Sequence, residues 1–178
     1  MTTGEALDAL RYPIGRADPR PELSAAERAE LVDRIAELPR LVRAAVAGLD
    51  DAALDTPYRP GGWTVRQVVH HIPDSHVNAY VRFRMAATET DPTIKPYEEG
   101  EWARLADSAG PIDASLALLD ALHARWTAWL RTLDEAAWRR AYVHPESGRT
   151  TLDQALQLYA WHGAHHLAHI RGAPVGRR

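Results

Sequence analysis

Apolar residues recur at helical spacing in four long segments of this sequence, and no segment shows the strict alternation that is typical of a β-strand. The first two segments each begin with a capping-box pattern, a hydroxyl side chain followed three residues later by Glu or Gln. The predicted helices are Ser24–Gly48, Thr64–Thr90, Ser115–Leu133 and Thr150–Arg171. The simplest structure that buries four amphipathic faces is an all-α, antiparallel four-helix bundle.

The segments between these helices are predicted from their proline, glycine and polar residues. Residues 11–21 are rich in proline and glycine and predict an extended N-terminal arm. Residues 141–149 are polar and are predicted to form a loop. Pro39 and Pro73 lie inside the first two helices, where a proline removes a backbone donor and bends the helix.

Composition narrows the class of protein. A length of 178 residues with 46% hydrophobic content predicts one domain, residues 1–178. The net charge of −3 is spread along the chain, so we expect no nucleic-acid partner, and without a long apolar run we expect no membrane partner and a cytoplasmic location. The chain has no cysteine, which excludes disulfides, thiolate ligands and a cysteine nucleophile. Any thiol chemistry must therefore use a sulfur that a ligand supplies.

The last predicted helix contains four histidines within eight residues. Imidazoles at positions i and i+4 lie above one another on a helix and can bind one metal ion. Helical periodicity turns His162 and His166 toward the interior, whereas His165 and His169 should point toward the flank or the solvent. We therefore predict that His162 and His166 are metal ligands.

The second helix offers a third ligand, but periodicity does not decide which residue it is. His76 lies at the centre of the apolar face, and His70 and His71 lie to either side of it. Pro73 can change the phase of the helix, so the choice stays open on these grounds. On the third helix, His123, Trp126 and Trp129 follow the apolar face and are predicted to pack in the core.

With these residues in view, the sequence resembles the DinB superfamily, and within it the YfiT-like proteins that include bacillithiol transferases. The resemblance extends over nearly the whole chain, and its most specific part is the long motif that ends in the paired histidines. Its segments are Tyr12–Gly15, Asp55–Arg59, Gly61–His71, Leu122–Thr127 and Trp161–Ile170. The resemblance implies a four-helix bundle and a metal site made by His71, His162 and His166.

Three imidazoles with open coordination positions are typical of a catalytic metal site, and they suit one zinc or nickel ion per chain. The open position can lower the pKa of a bound thiol or of a bound water. Our first hypothesis is a thiol S-transferase that adds bacillithiol or a similar thiol to a small electrophile. The alternatives are a metal-dependent hydrolase and a metal-binding module without turnover. A homodimer is a further expectation from the resemblance.

Several other residues are candidates for supporting roles. Asp74 and Arg125 are candidates for the shell around the metal ligands. Arg66, Arg82 and Tyr58 are candidates for binding a thiol co-substrate, because guanidinium groups form bidentate contacts with carboxylates.

Overall fold

A computed structural model describes residues 4–176, and it contains a bundle of four long helices with shorter elements between them. The four-helix bundle is therefore confirmed, and the four long helices are α2, α4, α6 and α8. The helices are α1 Gly4–Arg11, α2 Ala25–Val46, α3 Asp51–Leu54, α4 Val65–Thr88, α5 Glu99–Trp102, α6 Asp113–Leu130, α7 Glu135–Trp138 and α8 Leu152–Gly172. The strands are β1 Ala141–His144 and β2 Gly148–Thr151.

Three of the long helices begin with complete capping boxes, in which a hydroxyl and the side chain three residues later each bond the other's backbone N–H. Those of α2 and α4 are the two predicted pairs. The cap of α8 is Thr151 with Gln154, one residue later than predicted. Thr150 precedes this cap and pairs with Tyr142 in the β1–β2 ladder, which ends at Thr151.

The prediction of a loop over residues 141–149 is wrong, because this segment contributes to an antiparallel hairpin. β1 and β2 pair from Ala141 opposite Thr151 to His144 opposite Gly148. Ala141 and Tyr142 are consecutive and both buried, so β1 lacks the alternation by which a strand is recognised in a sequence. Gly148, with a φ of +81°, adopts the left-handed conformation that starts β2.

The long helices do not simply alternate in direction. Arg28 near the start of α2 contacts Asp153 near the start of α8, so these two helices run parallel. Ile35 contacts His123, whereas the earlier residue Asp33 contacts the later residue Arg131, so α2 runs antiparallel to α6. α4 in turn runs parallel to α6 and antiparallel to α8. Each of α2 and α4 packs against both α6 and α8, so α2 and α4 lie diagonally across the bundle. The crossover of residues 89–112 lets α6 follow α4 in the same direction.

The core has two apolar clusters with a layer of histidines between them. One cluster surrounds Phe83, Trp126 and Leu156, and the other surrounds Val42 and Ile170. The layer contains His76 and His123, whose side chains are almost completely buried. No helix within residues 4–176 is long and apolar enough to cross a membrane.

Candidate metal centre

α4 and α8 bring His71, His162 and His166 together, and each offers a ring nitrogen within 4.8 Å of the others. Nε2 of His71 lies 3.3 Å from Nε2 of His162. Two nitrogens that each lie about 2.05 Å from a tetrahedral zinc ion are about 3.3 Å apart. The spacing of this pair thus fits a shared divalent cation.

Local structure holds these rings in place. His162 and His166 are one helical turn apart on α8, with ring centroids 4.5 Å apart. α4 continues as one helix through Pro73, and His71, two residues before this proline, faces His162 and His166 on α8. The indole of Trp63, just before the Thr64 cap, packs 4.7 Å from the ring of His71.

Burial keeps the three imidazoles neutral. Loss of solvent lowers the pKa of His71 to about 4, and it lowers the pKa of His162 and of His166 well below the ordinary value. Repulsion from neighbouring histidines acts in the same direction. Neutral imidazoles have a free lone pair, and three such borderline donors without a thiolate suit zinc or nickel. The donor set therefore fits the implied metal.

The remaining histidines of α4 have other partners. His70 contacts the hydroxyl of Ser115 through Nδ1 and the carbonyl of Gly110 through Nε2, away from the three ligand candidates. His76 lies at the centre of the buried face, as periodicity indicated, but both of its nitrogens contact other histidines. Geometry therefore selects His71 as the third candidate ligand.

His165 and His169 lie on the flank of α8, but both are buried, so the expectation that they could point to the solvent is wrong. The N-terminal arm covers this side of α8. Nε2 of His169 contacts the carbonyl of Arg11 at 3.1 Å, and Trp161, which stacks on His165, donates to the carbonyl of Gly15. Periodicity within one helix cannot show that a distant segment covers its flank. With His166, these two rings form a second group whose nitrogens approach within 4.8 Å.

A cleft of about 770 Å³ opens beside the three histidines. The guanidinium of Arg82 lies in its wall and donates to the hydroxyl of Tyr159. Two residues that line the cleft were not identified from the sequence. The hydroxyl of Ser75 lies 3.4 Å from Nε2 of His162, and burial raises the pKa of Tyr97 to about 12. Ser75 is one helical turn after His71, which is the signal that could have identified it.

Of the candidate supporting residues, Arg82 and Tyr58 lie near the histidines. Tyr58 stacks on His169 at 3.9 Å in a smaller neighbouring cavity of about 350 Å³. Arg66 is instead held by Asp51, Asp55 and the carbonyl of Gly110, so it is not free for a co-substrate.

The two candidates for the shell around the ligands lie elsewhere. The charges that act on the half-buried Asp74 are those of Asp107 and His70. Arg125 is exposed on α6 and does not line the cleft. Both are on the wrong face of their helices to support the three histidines.

Comparisons with known proteins agree with this architecture. A Bacillus mycoides protein, named as an inferred metal-dependent hydrolase, is 52% identical over 161 residues, which are 90% of this chain and 93% of that protein. The structure of YfiT from Bacillus subtilis, described as an inferred metal-dependent hydrolase with an unusual four-helix bundle topology, matches with a TM-score of 0.89 at 48% identity. This match covers 91% of this chain and 94% of that one.

A more distant structure shares the fold alone. The mycothiol-dependent maleylpyruvate isomerase matches with a TM-score of 0.59 at 20% identity, over 80% of this chain and 60% of that one. At the level of the family, the sequence profile of the DinB superfamily matches residues 34–170, a range that contains all three candidate ligands. This chain therefore belongs to the DinB superfamily.

Proposed function

We propose that this protein is a metal-dependent transferase that joins a low-molecular-weight thiol, bacillithiol or a similar one, to small electrophiles. The observation that carries the proposal is the convergence of three neutral imidazole donors, His71, His162 and His166, at the wall of an open cleft. When bound there, a zinc or nickel ion would act as a Lewis acid that lowers the pKa of a coordinated thiol or water.

The cleft provides room and charge for such substrates. Its volume of about 770 Å³ lies within the range of small-molecule sites and is enough for a thiol beside an electrophile. Arg82 makes no ion pair with any residue between 4 and 176, so its guanidinium is available for a carboxylate of the co-substrate. Since the chain has no cysteine, the sulfur must come from a bound thiol.

Hydrolysis is the second candidate, and the names given to the relatives favour it. In that case the same three histidines would hold the ion, and the cleft would bind an ester or amide without a thiol. The cytoplasmic location, the small-molecule partners and the homodimer stay predictions.

The test compares the two reactions on the same zinc-loaded or nickel-loaded protein. One assay supplies bacillithiol and a chlorodinitrobenzene, so that a carbon–sulfur bond forms and chloride leaves. The other supplies a nitrophenyl ester without thiol. We expect faster loss of the aryl chloride than in buffer, and we expect His71→Ala to abolish this acceleration.

The matched control is His70→Ala, which removes an equally buried imidazole that contacts Ser115 and Gly110 instead. This variant should retain activity. Ester turnover without thiol would favour the hydrolase. No turnover in either assay by a fully metal-loaded protein would contradict both and leave a binding module.

A further inference from the structure

His76 and His123 are buried imidazoles that the candidate metal site does not use. They are 0% and 1% exposed and lie between the two apolar clusters of the core. Burying a polar ring is costly unless both of its nitrogens are hydrogen-bonded. In these two rings all four nitrogens have a partner.

The contacts form one continuous chain across the bundle. Nδ1 of His123 lies 2.6 Å from the carbonyl oxygen of Ile35, and Nε2 of His123 lies 2.8 Å from Nδ1 of His76. Nε2 of His76 then lies 3.1 Å from Nδ1 of His162. The chain thus runs from a backbone carbonyl on α2, through α6 and α4, to a candidate ligand on α8.

The chemistry of the first contact fixes the direction of all the others. A carbonyl oxygen only accepts, so Nδ1 of His123 must carry the proton, and a neutral imidazole then accepts at Nε2. His76 therefore donates from Nδ1 and accepts at Nε2. His162 in turn donates from Nδ1, which leaves a lone pair on its Nε2, 3.3 Å from Nε2 of His71 and 3.4 Å from the hydroxyl of Ser75.

The carbonyl of Ile35 is free for this purpose because of Pro39. In a helix the carbonyl of residue i accepts from the N–H of residue i+4, and Pro39 has no N–H to donate. The carbonyl of Ile35 would otherwise be left without its helical donor in the core of the bundle. His123 provides that donor.

A second contact gives His166 the same arrangement. Nε2 of His169 lies 3.1 Å from the carbonyl of Arg11, so it carries the proton, and Nδ1 of His169 accepts. Nδ1 of His166 lies 3.4 Å from that atom and is its donor. His166 thereby also presents a bare Nε2, and the group His165, His166 and His169 need not be a second metal site.

We propose that His76 and His123 are positioning residues that lock His162 as the Nδ1–H tautomer with its Nε2 aimed at the metal. The proposal rests on the three-histidine metal site proposed above, but it assigns a role to residues that touch neither the ion nor the substrate. Partners that orient a ligating imidazole also raise its basicity, and their loss typically lowers metal affinity by about 10-fold to 100-fold.

The first test measures zinc affinity of the full chain by competition with a chromophoric chelator. We expect His76→Leu to weaken zinc binding about 10-fold to 100-fold, and we expect His123→Leu, which has no contact with His162, to weaken it as well. His76→Gln should recover most of the affinity, since its amide can accept from His162 and donate to His123. Phe83→Leu, a core substitution outside the hydrogen-bond chain, is the control that should bind zinc normally.

The second test needs no variant. Nitrogen-15 NMR of the imidazoles in the wild-type protein should show the proton on Nδ1 in His123, His76 and His162. A proton on Nε2 of His76 or His123, with or without zinc, would overturn the proposal. Unchanged zinc affinity in both Leu variants would also overturn it. If the wild-type protein bound neither zinc nor nickel, the proposed function would fail, while the tautomer pattern would still decide the hydrogen-bond chain.

Discussion

At the scale of single residues, burial keeps the imidazoles around the cleft uncharged. The pKa values of all five rings of the ligand set and the hydrogen-bond chain are lowered, and desolvation is the largest cause in each case. An uncharged imidazole serves equally as a metal ligand and as a link that donates at one nitrogen and accepts at the other. One physical condition therefore supports both roles.

This condition predicts acid sensitivity of the metal-free protein. Burial lowers the pKa of His123 from 6.5 to about 4, so in this window the unfolded chain binds a proton that the folded chain does not. Stability is then complete above pH 6.5 and decreases as the pH falls toward 4. Because one pH unit corresponds to about 1.4 kcal/mol, His123 alone lowers the free energy of unfolding by about 3 kcal/mol between pH 6.5 and pH 4.

Urea unfolding at a series of pH values across this window measures the effect. His123→Gln is the control, because it lacks the titrating group and should show a smaller dependence on pH. A free energy of unfolding that stayed constant across the window would contradict the prediction.

The sequence predicted only some of these residue roles. His162 and His166 followed from periodicity, because α8 is a regular helix whose face can be read from spacing. The choice of His71 over His76 depended on resemblance, because both rings reach α8 and spacing along α4 does not show which of them faces Nε2 of His162. His123 was predicted to pack in the core and it does lie there, but its contact with His76 joins residues 47 apart in the chain. Such a contact requires the packing of two helices to be known.

At the scale of elements, the prolines inside α2 and α4 show which structural consequences can be predicted from a sequence and which cannot. Both were expected to bend their helices, and both helices continue past them. The consequence that mattered was the missing N–H of Pro39, which frees a carbonyl for His123. The pattern of α2 reveals the missing donor, but only the packing of α6 reveals what replaces it.

The ends of α2 and α8 are joined by a buried ion pair. Arg28 donates to both carboxylate oxygens of Asp153 at 2.7 and 2.9 Å, and the two side chains are 7% and 2% exposed. Asp153→Asn would leave the guanidinium buried with only the exposed Glu135 as an anionic partner. We expect the free energy of unfolding to fall by about 3–5 kcal/mol.

Chemical denaturation checks this value, and the exposed pair of Arg34 with Glu30 on α2 is the control. Both members of that pair are 63% exposed, so Glu30→Gln should change stability by less than about 1 kcal/mol. Equal effects of the two substitutions would show that the buried pair does not fasten α2 to α8.

At the scale of the whole molecule, the helix order places the candidate ligands on neighbours that are far apart in the chain. α4 and α8 are antiparallel neighbours although the crossover, α6 and the hairpin separate them in sequence. His71 and His162 are 91 residues apart. An ion bound between them would thus join two distant parts of the chain, and unfolding would have to release it.

This linkage predicts that metal stabilises the fold and that the effect needs both helices. An ion at about 100 times its Kd, bound by the folded state alone, adds about 2.7 kcal/mol to the free energy of unfolding. For a chain of this length each kcal/mol shifts Tm by about 2–4 °C, so zinc should raise Tm by about 5–10 °C, and a chelator should reverse the rise. Calorimetry of the wild type, His71→Ala, His162→Ala and the control His70→Ala measures it. The rise should vanish in the first two variants and persist in the third. If it persisted in His71→Ala, histidines of α8 would hold the ion without His71, and the bridge between α4 and α8 would be refuted.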